Sequence, residues 1–200
     1  MFTGAERCFV WAGHVRVPQG TKNFGDNQEL SAYINRLLLI AMERNQKRFQ
    51  YNPFFRIQHA ATLIFTGQHA DACAAEYILN DLNSEACNQP MVHAWRAFLK
   101  LTEYLEFGGD KSTLQNEANE FAADAARYGK SNSLVLSLIA QIEMKLNDDP
   151  ERAAYLASRA LELRDTDPYA LNAASHAATL LGDYWQSYSY AKQALSLIHI

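Results

Sequence analysis

The sequence predicts an all-α chain folded as an array of antiparallel helix hairpins, and three observations carry that prediction. Four of the five prolines follow Asn, Gln or Asp and open a stretch whose apolar residues recur at helical spacing. Glycines stand where those stretches end. No segment sustains the alternation of Val, Ile, Thr and aromatics that a half-buried strand requires, and residues 7–18 are the one stretch where a strand stays open.

Taken in order, the first helix is expected near 27–48, behind the capping box Asp26-x-x-Glu29. Asn52-Pro53 opens the next, 53–66, which Gly67 closes. A helix over 69–83 follows. Proline at the first helical position costs no hydrogen bond, and the Asn or Asp before it can cap the exposed backbone donors. By the same logic Gln89-Pro90 opens 90–107, which ends at Gly108 and Gly109. Ser112-x-x-Gln115 reads as a second capping box for 112–128, with Gly129 as a left-handed stop. Helices near 132–146, 150–163 (after Asp149-Pro150), 168–181 (after Asp167-Pro168, stopped by Gly182) and 183–198 complete the set. Such short connections make successive helices antiparallel neighbours.

A recurrence at 34 residues joins the last elements: Ala140 with Ala174, Leu146 with Leu180, Asp149 with Asp183, Ala157 with Ala191, Ala160 with Ala194 and Leu161 with Leu195. Alanines at fixed positions let paired helices approach closely while leucines fill the gaps, so one packing unit is used twice. The stretch Leu180-Leu181-Gly182-Asp183-Tyr184, followed by Ser187, Ala191, Ala194 and Leu195, resembles the signature of the tetratricopeptide repeat family. Ala173, Ala174 and Ala177 stand on the preceding helix. Residues 134–167 are similar, with Asp148 where the turn glycine is usual. Ile64 to His69 with Ala72 and Ala75 looks like a more degenerate unit. Spacing between the starts at Pro53, Pro90 and Ser131 drifts to 37 and 41 residues, so the earlier units are looser. The resemblance implies a right-handed superhelical array, a TPR-like α-solenoid, over residues 26–200. Its units lie near 53–85, 90–129, 132–167 and 168–200, behind an unassigned lead segment 1–25.

Composition bounds the function. Lys+Arg 18 against Asp+Glu 22 gives a net charge of -4 spread along 200 residues, which argues against a dedicated nucleic-acid surface. The three cysteines, Cys8, Cys73 and Cys87, are too few and too odd for a disulfide framework and fit a reducing, cytoplasmic compartment. The longest apolar run, Leu37 to Met42, is far short of the roughly 20 residues a membrane-spanning helix needs. Leu195-Ser196-Leu197-Ile198-His199-Ile200 coincides with the translation of a transposase mosaic-end sequencing adapter. On that reading residues 195–200 are adapter-derived and further repeats follow, although Leu195 to Leu197 also fit the end of a repeat helix.

No phosphate-binding glycine loop, nucleophile elbow, zinc helix or paired Cys-x-x-Cys is present in the sequence, so no catalytic residue, cofactor or metal is expected. His69 and Cys73 lie four apart, with His59 as a third candidate ligand. Two ligands are half a site, and a partly buried thiol beside a surface histidine is the preferred reading. Arg44, Lys47, Arg48 and Arg56 bracket Phe49, Tyr51, Phe54 and Phe55, a pattern shared with single-strand nucleic-acid platforms. Cations in a last helical turn and aromatics between hairpins explain it more simply. Helical arrays present the first helix of each pair along an inner groove. For such a groove His93, Arg96, Lys100, Asn172 and His176 are the expected polar lining and Tyr188 an aromatic anchor. The expected function is a non-enzymatic module that docks a protein or peptide ligand, within a larger bacterial regulatory protein, with self-association also open. Two further readings come with the family resemblance. One is the sensory or oligomerising part of a winged-helix transcription regulator, the other an accessory domain of a signalling enzyme such as a nucleotide cyclase.

Overall fold

The computed structural model describes residues 52–84 and 90–198, and every regular element among them is an α-helix. They are α1 (Pro53–Ile64), α2 (His69–Ser84), α3 (Pro90–Phe107), α4 (Lys111–Tyr128), α5 (Ser133–Lys145), α6 (Pro150–Leu163), α7 (Pro168–Leu180) and α8 (Tyr184–Ile198). The expected helix near 27–48, its capping box, the lead segment 1–25, Cys8 and Cys87 lie outside the described residues. No described helix is long and apolar enough to cross a membrane.

The starts follow from local chemistry. Asn52 accepts from the Phe54 N–H at 3.0 Å, Asp149 from the Arg152 N–H at 2.9 Å, and Asp167 from the Tyr169 N–H at 2.9 Å. Each side chain satisfies a donor that the first helical turn leaves open. Asp183 repeats the Asp149 arrangement one recurrence later, accepting from the Gln186 N–H at 3.0 Å. One start differs from expectation. The cap of α4 is Asp110, which accepts from both the N–H and the hydroxyl of Thr113, so the Ser112-x-x-Gln115 box is not used. A carboxylate two residues upstream wins because it takes two hydrogen bonds on one side chain, and they hold its pKa below the usual carboxylate value.

The stops divide into two kinds. Gly67, Gly108 and Gly182 take positive φ, and Asp148 takes φ 54 at the turn where the recurrence lacks glycine. Gly129 corrects the expectation of a left-handed stop: its φ is -103, and it is glycine for space. A Cβ there would lie 2.6 Å from Val135 Cγ1 and 2.8 Å from the Ala125 carbonyl oxygen.

Consecutive helices pack in pairs, α1 with α2, α3 with α4, α5 with α6 and α7 with α8. The first members also pack in sequence, α1 on α3, α3 on α5 and α5 on α7, while α2, α4 and α6 each touch the first helix of the following pair. Ile57, Leu79, Val92, Trp95, Leu99, Leu138 and Ile142 belong to one continuous core that runs from α1 to α5. Beyond it the core changes character. Ala140, Ala153, Ala157, Ala173 and Ala177 form a seam of small side chains among α5, α6 and α7, joined by Met144. Burial at the recurring positions matches for Ala140 and Ala174 and for Ala160 and Ala194, but Leu146 is buried while Leu180 is exposed.

Candidate functional site

Because the first helices stack on one another, their inward stripes meet, and a cleft of about 440 Å³ lies among them. Each helix contributes residues four apart, the spacing that keeps side chains on one face. From α3 come Phe98, Thr102 and Glu106, with Leu101 and Leu105 beside them; from α5 come Ser137, Gln141 and Lys145; from α7 come Asn172 and His176. Tyr169 and the end of α1, Ile64 to Gly67, close the outline.

The two sides of the cleft differ in chemistry. On the α1 and α3 side Phe65 sits edge-on to Trp95, with ring centroids 5.9 Å apart, and 5.7 Å from Phe98. Phe65 also reaches Tyr169 of the last pair, 6.2 Å between centroids, so rings from the first and fourth pairs meet. Burial, followed by the Asp167 charge, pushes the Tyr169 phenol above its ordinary pKa. The α5 and α7 side is polar. Ser137 donates its hydroxyl to the Ser133 carbonyl at 2.7 Å. Gln141 is 7% exposed and its carboxamide has no hydrogen-bond partner within the chain. His176 is held below the ordinary histidine pKa by burial first and by the Lys145 charge second.

Of the expected lining residues, Asn172 and His176 stand in this cleft. His93, Arg96 and Lys100 occupy the opposite face of α3, against α2 and α4. The Lys100 ammonium lies 3.0 Å from Glu76, 3.1 Å from Glu103 and 3.4 Å from Glu117. Burial alone would lower its pKa, but the hydrogen bonds it donates to Glu76 and Glu103, with their charges, outweigh it and the net shift is upward. The Arg96 guanidinium lies 4.0 Å over the Phe121 ring. His93 is buried with no partner at Nδ1. Desolvation holds its pKa down, opposed by Asp124 and reinforced by Arg96. Tyr188 is on α8, 61% exposed and 6.4 Å from the Trp185 ring, away from the cleft. Trp95, on the same helix, is core.

The remaining candidates resolve simply. Cys73 is an exposed thiol 3.7 Å from His69 Nδ1, rather than partly buried, and His69 packs edge-on to Phe107. No group of three or more metal-ligating side chains occurs among the described residues. Phe54 and Phe55 touch edge-on, and Arg56 pairs with Asp81, while Arg44, Lys47, Arg48, Phe49 and Tyr51 lie outside the described residues.

Sequence reasoning missed Gln141, Lys145, Phe65, Phe98 and Tyr169. A signal for two of them was present. Helix α5 is strongly apolar, yet Ser133, Ser137, Gln141 and Lys145 recur every fourth residue along it, a polar stripe on a helix that is otherwise core. No family model matches this chain, and no curated protein resembles it significantly.

Proposed function

We propose that the chain is a non-enzymatic helical-repeat module, a tetratricopeptide-like array of hairpins, that binds a protein or peptide segment in the cleft among its first helices. The observation that supports this reading is the cleft itself: an apolar, aromatic side faces a side of open polar groups, within a volume suited to a few ligand side chains. Affinity would come from apolar groups against Phe65, Phe98 and Leu105, and orientation from Gln141, Asn172 and His176. On the family resemblance, the module serves within a larger cytoplasmic bacterial regulatory protein.

Panning a displayed peptide library against the full chain, followed by calorimetry of enriched peptides, tests the reading. Peptides should bind the unaltered protein with micromolar affinity and the Asn172→Ala, His176→Ala double variant at least about fivefold more weakly. Equal affinity for both proteins rules out the cleft as the docking site.

A further inference from the structure

Four side chains of the polar wall, Gln141, Lys145, Asn172 and His176, reach the cleft with no hydrogen bond or ion pair inside the chain. They contrast with their neighbours. Thr102 and Ser137 line the same cleft but commit their hydroxyls to the carbonyls of Phe98 and Ser133. The contrast is sharper among the half-buried cations. Arg56 pairs with Asp81, Lys100 with Glu76, and Lys111 with Asp148, while Arg96 lies over Phe121. Lys145 is half-buried and has neither an anion nor a ring.

Lys145 closes the last turn of α5, where a cation is favoured by the helix dipole, but that role leaves its three donors open. Glu106 is the acidic residue on the cleft rim. It is exposed, and no ion pair joins it to Lys145. Gln141, 7% exposed as a residue, adds a carboxamide with no hydrogen bond inside the chain, so its donors and acceptor are open to whatever enters the cleft.

We propose that the cleft takes a carboxylate carried next to an aromatic ring, as in an acidic residue beside an aromatic residue of a partner segment. The carboxylate accepts from the Lys145 ammonium and the amides of Gln141 and Asn172, and the ring packs on Phe65, Phe98 and Leu105. This inference rests on the peptide-binding reading above and names the chemistry that the site selects.

Calorimetry and amide chemical-shift mapping on the full chain test it, with acetyl-Phe-Asp-amide, acetyl-Phe-Asn-amide and 3-phenylpropionate as probes. The acidic dipeptide should bind at least about tenfold more tightly than its neutral counterpart and shift the resonances of Gln141, Lys145, Asn172 and His176. Lys145→Met, checked for unchanged helix content, should abolish that preference, bringing the acidic dipeptide's affinity down to that of the neutral one. A free acid that binds more tightly than the acidic dipeptide would identify an aromatic acid as the source of the same chemistry. Equal binding of the acidic and neutral dipeptides at the cleft overturns the carboxylate assignment and leaves peptide docking standing. No shift at the cleft with any probe overturns both.

Discussion

His93 and His176 sit on opposite faces of the structure and share one electrostatic property: both are held below the ordinary histidine pKa, in each case by desolvation first. Their consequence for stability has a definite sign. As pH falls below the unfolded value of about 6.5, the unfolded chain takes up protons that the folded chain still refuses, so stability declines until the lowered folded values are passed. The urea midpoint should therefore fall between pH 7.5 and pH 5, and His93→Gln should flatten that slope by removing the less exposed of the two groups. A midpoint that rises on acidification would contradict the desolvation of these imidazoles, of which His93 is buried and His176 exposed on the cleft. At the same scale, Asp148 illustrates what a residue type can disclose. Its place in the recurrence identified a glycine-like turn, and its φ of 54 agrees, since Asp tolerates the left-handed region better than most residues. Gly129 gave no such clue, because its reason is a collision with Val135 and Ala125 that local sequence does not contain.

At the scale of elements, the alanine seam determines how closely α6 approaches α5 and α7. Ala153, Ala157, Ala173 and Ala177 are at most 1% exposed, so the helices meet nearly backbone to backbone. Adding side-chain volume there forces the helices apart. Ala157→Leu should destabilise the protein by about 1–3 kcal/mol in urea denaturation. Ser158→Leu, one residue along on the exposed face, should stay within about 0.5 kcal/mol of the unaltered protein. Helix boundaries were readable because Asn52, Asp149 and Asp167 carry their capping chemistry beside a proline. The placement of His93, Arg96 and Lys100 was not. Each is polar on a mostly apolar helix and so looked suited to a groove, but their partners Glu76, Glu117 and Phe121 come from helices whose approach is a tertiary property.

At the scale of the whole molecule, helix pairs that contact mainly their neighbours contribute to stability approximately as a sum of units and interfaces. Helix α8 makes its main contact with α7 alone, and of its described side chains only Ala194 is buried. Tyr184 and Trp185 are 71% and 80% exposed. Amide hydrogen exchange should therefore be fastest in α8 among the helices named here, and slowest in α3 and α5, which carry the large core. Protection in α8 equal to that in α5 would refute this ordering. The cleft was only partly legible for a related reason: Asn172 and His176 could be placed by spacing, whereas the aromatic side is assembled from α1, α3 and α7 together.

The contact between Phe65 and Tyr169 joins helix pairs that are not neighbours. Most of the packing joins helices of the same pair or of adjacent pairs, which makes folding local and allows one end to loosen without the other. A ring from the first pair resting on a ring from the fourth closes a loop in that otherwise linear scheme. The cleft lies against this junction, so its lining draws on all four helix pairs at once.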